Sequence, residues 1–394
     1  MPLPVAKPAD VGLCPVRCQR LLDRLQSEID RERLPGAVAL IARRGKLALF
    51  EHLGLQDPAT RVPMARDAIF RIYSMTKPVV SVAAMMLVEQ GRLLLSDPVG
   101  QHLPAFAGQQ VARRDGSGLD PSARPATVHD LLRHTAGLTY EFLGAAPVQQ
   151  QYAAADIGSR ARSSREFGDK LAALPLMFQP GSVWEYSRAT DVLGLVVAAV
   201  SGQSLGDYLQ EHIFEPLGMV DTAFSLPSAK LARMAEPFAH DPDGGDPMPV
   251  FDFHAEAHME FGGGGLVSTA RDYARFLQFL LNRGALDGVR LLSPITVDTM
   301  TSDHLGNIPV AKGASQALLT SGHGFGLGFA VRTAPGLANL PGSVGSYHWG
   351  GIAGTTFFVD PAQEMFAMLL IQAPNQREFY RPLFRNMVYA ALVD

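Results

Sequence analysis

Apolar residues along the chain fall into two patterns, helical spacing and short unbroken runs. A helix is expected near Arg17 to Arg31, with Leu21, Leu22 and Leu25 on one face. The run Gly36 to Ala42, then Arg43-Arg44-Gly45-Lys46, then Leu47 to Phe50 reads as a β-hairpin turning at Gly45. A longer helical pattern covers Thr76 to Gln90 and stops at Gly91. Helical spacing recurs at Val128 to Arg133, Arg165 to Ala173, Ala189 to Val200, Leu205 to Phe214 and Arg271 to Asn282. Strand-like runs follow at Phe325 to Arg332, Thr355 to Val359 and Met365 to Gln372, and a last helix fits Glu378 to Val393. Val111 to Ala126, rich in Gly, Asp, Arg, Ser and Pro, reads as an exposed loop, and Ser225 to Phe253 as a wandering surface stretch. There is no internal repeat.

Strands therefore fall at both ends and helices in the middle. Such a chain can build one α/β domain from its two ends, with a mostly helical domain inserted. We expect residues 1–75 and 260–394 in the first and residues 76–259 in the second. A length of 394 residues fits that number of domains and allows a large core. A cleft between them is the natural place for a site.

Composition narrows the partners. Hydrophobic residues make up 47% and charged residues 18%, the balance of a folded protein. Lys+Arg number 34 and Asp+Glu 38, a net charge of −4, so neither nucleic acid nor an anionic membrane is an expected partner. The longest uncharged apolar run, Val79 to Val88, is too short to cross a bilayer. Met1 to Pro15 carries Lys7 and Asp10 and lacks the apolar stretch of an export signal. Cys14 and Cys18, four apart, cannot staple distant parts of the fold. These features point to a reducing, cytoplasmic location.

The sharpest chemical signal is Phe70-Arg-Ile-Tyr-Ser74-Met-Thr-Lys77-Pro. Ser74 and Lys77, three apart at a helix start, share one face. There a serine adduct with a carbonyl gains from the positive helix end. A desolvated Lys77 is neutral often enough to take the serine proton. A bare Ser-x-x-Lys match in a chain with six lysines has chance odds of roughly one in three, so its weight comes from context.

That context is a family. Phe70 to Pro78 resembles the nucleophile segment of the serine β-lactamase and penicillin-binding-protein superfamily. Val128 to Leu138 is similar to its LLxHTSGL segment. Trp184-Glu-Tyr186-Ser-Arg-Ala-Thr-Asp-Val-Leu-Gly194 is similar to its Tyr-Ser-Asn motif, and Ser201 to Leu209 with Ile213 to Met219 to the helix and turn that follow. Gly262-Gly-Gly-Gly-Leu-Val-Ser-Thr269 resembles GGGLxST, and Tyr347-His-Trp349-Gly350-Gly351 stands where the family has Lys-Thr-Gly. The matches keep the family's order from about Pro35 onward. Tyr at the middle motif marks the class C branch, and Trp-Gly-Gly marks family VIII carboxylesterases, with fungal polyketide acyltransferases as near relatives.

The resemblance implies an α/β (α+β) fold with an antiparallel sheet flanked by helices. It implies Ser74 as nucleophile, Lys77 as general base and Tyr186 as third member, its pKa lowered by the ammonium. The oxyanion hole would be the backbone N–H of Ser74 with that of Gly351 or Ile352. Substrate contacts are expected from Tyr140, Trp184, His348, Trp349 and Gly350, with His348 keeping some positive character. Arg188 replaces the motif's Asn by a long cation, and Trp349-Gly350 replaces the Lys-Thr that holds a carboxylate. The expected activity is therefore hydrolysis of short-chain esters, with weak action on β-lactams, and no metal or cofactor. An acyltransferase, a β-lactamase or D-amino peptidase, and an inactive penicillin-binding sensor are the alternatives. The substrate is a small molecule, and the sequence leaves the oligomeric state open.

Two other patterns compete. Gly202-Gln-Ser204-Leu-Gly206 matches a nucleophile elbow but follows a helix rather than a strand. His254 and His258, near Asp252, Glu256 and Glu260, lack the His-Glu-x-x-His spacing of a zinc helix.

Overall fold

The computed structural model describes residues 3–113, 115–255 and 258–394. Its centre is an eight-stranded antiparallel sheet in the order β10-β11-β12-β13-β14-β1-β2-β3. The strands are β1 (Gly36–Arg43), β2 (Lys46–Asp57), β3 (Val62–Pro63), β10 (His323–Phe325), β11 (Ala330–Arg332), β12 (Tyr347–Gly350), β13 (Thr356–Asp360) and β14 (Met365–Ile371). Three minor pairs complete the count: β4 (Phe70–Arg71) with β7 (Val267–Ser268), β5 (Gln110–Ala112) with β6 (Leu119–Pro121), and β8 (Ala285–Leu286) with β9 (Val289–Arg290). Both chain ends thus build one sheet, joined where β1 pairs β14 from Ala37↔Ile371 to Arg43↔Met365.

β1 and β14 are buried along their whole length, which is why they read as unbroken apolar runs. Val38, Leu40 and Ala42 face the main core, and Ala37, Ala39 and Ile41 face a second core. The second core lies under the helices Pro15–Asp30 and Arg377–Ala390; the main core takes the helices Thr76–Glu89 and Ala270–Leu281. The β1–β2 turn has Arg44 at φ 51° and Gly45 at φ 72°, the paired positive values a tight hairpin demands. Thr76 to Leu87 is buried on all sides, so this helix runs through the core rather than over it.

Several expectations are corrected. The stretch Val111 to Ala126 holds the β5–β6 hairpin, because Val111 is buried and Ala112 N–H reaches Leu176 O at 2.9 Å. Ser225 to Phe253 is anchored rather than wandering: Met234 and Phe253 pack with Ile69 and Val267. Phe325 to Arg332 is not one strand. It breaks into β10 and β11 around Gly328, at φ 101°, where a Cβ would come within 2.5 Å of Ser81 Oγ. The pattern Leu205 to Phe214 starts as an α-helix and widens to a π-helix at Gln210–Phe214. Cys14 stands at the N-cap position of the first helix, Cys18 lies within it, and both cysteines are free. Glu256 lies outside the described residues, and Glu260 accepts Gly206 N–H at 2.9 Å. No single helix among the described residues is long and apolar enough to cross a membrane.

The double-sided burial gives a stability test. Leu369→Ala, at a fully buried site in β14, should cost about 2–5 kcal/mol in urea unfolding, whereas Leu337→Ala, 66% exposed, should stay within about 0.5 kcal/mol.

Candidate active site

Ser74 lies in a single turn, Tyr73–Met75, that leads into the helix Thr76–Glu89. Tyr73, just before it, has φ 43°, a left-handed conformation that strains a non-glycine residue. Its surroundings enforce it. Phe251 N–H donates to Tyr73 OH at 2.7 Å and the two rings pack at 5.0 Å. Tyr273 OH donates to Met75 O at 2.9 Å, and Leu266 N–H donates to Thr76 Oγ1 at 3.1 Å. The turn leaves Ser74 partly exposed among buried neighbours.

Two side chains meet at this serine, Lys77 from one turn along the helix and Tyr186 from a distant part of the sequence. Lys77 Nζ lies 3.2 Å from Ser74 Oγ, 3.0 Å from Tyr140 OH and 2.6 Å from Gly263 O. Tyr186 OH donates to Ser74 Oγ at 2.6 Å and accepts from Trp349 Nε1 at 3.3 Å. The Lys77 ammonium position also lies 4.5 Å from the Tyr186 ring centre. Burial lowers the Lys77 pKa to about 7, against a raising influence from Asp191. Tyr186 moves the other way: burial raises its pKa, so the expectation of a lowered phenol is corrected. A half-neutral lysine lacks the steady charge needed to stabilise a phenolate. Protonated Lys77 donates to Ser74 Oγ, neutral Lys77 can accept from it, and Tyr186 donates to Ser74 Oγ.

A charged layer holds Lys77 from behind. Gly263 N–H donates to Asp191 Oδ1 at 2.7 Å, while Gly263 O accepts from Lys77. Arg188 bonds Glu141 and lies 3.4 Å from Asp191 Oδ2, with its guanidinium 4.8 Å from the Tyr140 ring centre. The cation that replaces the motif's amide is thus buried and matched by two carboxylates.

The strand carrying Trp349 ends in a turn against Ser74. A Cβ on Gly351 would fall 2.4 Å from Ile72 O, so only glycine allows this approach. Gly351 N–H is already bonded to Thr355 O at 2.8 Å, which removes it from the expected oxyanion pair. No bond is seen for the backbone N–H of Ser74 or of Ile352 among the described residues. Arg381, from the last helix, donates to the Gly351 carbonyl. A trans peptide points its C=O and the next N–H in opposite directions, so Arg381 sets the direction of Ile352 N–H.

Other expected contacts are corrected. His348 and Gly350 alternate with Trp349 and belong to the opposite face of the sheet: His348 pairs with Phe358 of the second core, and a Cβ on Gly350 would meet Arg381. Burial and nearby Arg385 hold the His348 pKa well below its ordinary value, so it carries no positive charge. Trp184 is fully buried and stacks on Tyr186 at 6.3 Å, supporting that ring and offering no surface to a substrate. Tyr140 is buried against Lys77. Ser204 Oγ accepts from Asp207 N–H at 3.0 Å as a helix cap. Asp191 and Gly263 lay inside the quoted motifs without a role; a buried acid one turn past Tyr186 was their available signal. Arg381 had none, being far from every motif.

The protein-family model described as Beta-lactamase matches residues 21–391. Esterase EstB of Burkholderia gladioli is 34% identical, covering 93% of this chain and 92% of its own. Lovastatin esterase of Penicillium rubens is 32% identical, covering 88% and 91%. The solved structure of EstCE1, a hydrolase with promiscuous acyltransferase activity, superposes with a TM-score of 0.80 at 28% identity, covering 95% of this chain and 98% of that one. By sequence, fold and the meeting of its motifs, the chain belongs to the beta-lactamase family.

Proposed function

We propose that the protein is a serine carboxylesterase that cleaves short-chain esters through an acyl-enzyme on Ser74. The observation that carries this reading is Ser74 Oγ held between Lys77 Nζ and Tyr186 OH, beside an indole where relatives of the family hold a carboxylate. As Ser74 attacks the ester carbonyl, its proton passes to Lys77. The developing oxyanion is met by the N–H groups of Ser74 and Ile352. Tyr186 gives its proton to the departing alkoxide. Water then attacks the acyl-enzyme and its proton goes to the Tyr186 phenolate. Collapse returns the Lys77 proton to Ser74, so protons balance over the cycle. An alcohol in place of water gives acyl transfer, a second reading favoured by the likeness to EstCE1. Trp349 and Gly350 cannot supply the Lys-Thr contacts to a carboxylate, which favours neutral esters over β-lactams.

Ser74→Ala should lower kcat/KM for p-nitrophenyl butyrate by at least about 10³-fold, and mass spectrometry of the wild type should find the acyl group on the Ser74 peptide. Turnover of a chromogenic cephalosporin above that of the ester would reverse the assignment to esters.

Lys77 must be neutral to accept the proton. It is protonated below its folded pKa of about 7 and competent above it, so kcat/KM should rise with pH and level off above that value. Asp191 raises the Lys77 pKa, so Asp191→Asn should shift this limb to lower pH.

Arg381→Met should release the Gly351 carbonyl and lower kcat by about tenfold to a hundredfold with little change in KM. Affinity for a boronic acid, which mimics the tetrahedral adduct, should fall in proportion; unchanged boronate affinity would remove Arg381 from the oxyanion turn.

A further inference from the structure

One buried acid has no part in the chemistry above. Glu185, directly before Tyr186, is 4% exposed, and its side chain bonds two hydroxyls rather than a cation. Thr139 donates to its Oε1 at 3.0 Å and Ser315 to its Oε2 at 2.7 Å, and both of these residues are buried. Burial raises the Glu185 pKa above the usual carboxylate value, against the pull of the two bonds. An acid enclosed without a counter-ion lowers stability, and an apolar side chain of similar size fills such a place better. Packing therefore gives no reason for a carboxylate here; the bonds it orders do.

Each hydroxyl has a single proton. The Ser315 proton goes to Glu185, which leaves the Ser315 oxygen to accept Tyr186 N–H at 3.2 Å. The Thr139 proton goes the same way, and its oxygen accepts from Gln149 Nε2 at 3.2 Å. A carboxylate only accepts, so both hydroxyls must point inward to it. The backbone is knitted to match. Glu185 N–H donates to His134 O at 3.0 Å, and Arg188 N–H donates to Thr139 O at 3.3 Å. The turn 185–188 is thus fastened on one side to the segment leading into Tyr140. On the other side it is fastened to the short helix Ala314–Leu318, whose buried residue is Ser315.

We propose, on the reading of Ser74 as nucleophile and Tyr186 as proton donor, that Glu185 is a positioning residue for Tyr186. Its carboxylate, acting through Ser315 and Thr139, sets where the Tyr186 hydroxyl meets Ser74 Oγ. Being enclosed, Glu185 meets no substrate. Its loss displaces the proton that Tyr186 gives to the departing alkoxide.

The test compares two butyrate esters that form the same acyl-enzyme, so that kcat/KM reports acylation. Ethoxide needs a proton as it leaves, whereas p-nitrophenolate leaves with little help. In the full chain, Glu185→Gln should lower kcat/KM for ethyl butyrate by about tenfold or more, and for p-nitrophenyl butyrate by about threefold or less. Tyr186→Phe should show the same bias towards the better leaving group. The ratio between the two esters is independent of how much of a variant is folded, so a merely structural defect leaves it unmoved. Ser315→Ala should reproduce the bias, and it carries the test if Glu185→Gln fails to fold. Ser315→Thr, which keeps the hydroxyl, should recover most of the loss. Equal losses on the two esters, or no loss on either, overturn the assignment of Glu185 alone. A wild type that consumes neither ester overturns the acyl-enzyme reading and this assignment with it.

Discussion

Burial of Lys77 is the constraint on which the site depends. The residue is completely enclosed in a helix that runs through the core, and among the described residues its amine bonds Ser74, Tyr140 and Gly263. Enclosure is what brings its pKa near neutrality and makes an amine a base. The same enclosure keeps Tyr186 protonated, so in the reaction proposed above one group accepts a proton while the other donates. A solvated lysine at this spacing would be an ordinary surface cation.

Holding a half-charged amine inside a core requires the surroundings to be arranged around it. Asp191 raises the Lys77 pKa by its charge, and the Gly263 peptide bonds both residues. Arg188 balances Asp191 and Glu141. On the other side, the strain at Tyr73 and the bare Gly351 bring two backbone segments together at Ser74. The centre joins the helix Thr76–Glu89, the loop at Tyr140, the turn at Tyr186 and the strand β12, so its geometry is fixed by how these pack.

The same sheet separates two electrostatic environments. Its inner face places the indole of Trp349 against Tyr186, at the position of the family's Lys-Thr pair. Its outer face collects arginines and histidines under the last helix. Arg381 spans the two, bonding the Gly351 carbonyl from the outer side. A single strand of alternating residues thus serves a neutral reaction site on one face and a basic cluster on the other.

The sequence by itself determined the elements whose signal is local. The helix at Thr76, the hairpin at Gly45, the all-buried strands and the pairing of Ser74 with Lys77 follow from spacing and from residue type. The ordered motifs added Tyr186, Trp349 and the family. Properties that depend on which face a residue takes, or on what encloses it, were decided only in three dimensions. His348 and Gly350 adjoin Trp349 in the chain yet point the other way, because strand neighbours alternate. Gly351 N–H is spent on Thr355, an acceptor its own motif does not reveal. Trp184 sits in a site motif but supports a ring from behind. Arg381 reaches the Gly351 turn from a helix whose link to that strand exists only through packing. The pKa values of Lys77 and Tyr186 belong to this second group, since desolvation is a property of the folded surroundings and not of any sequence window.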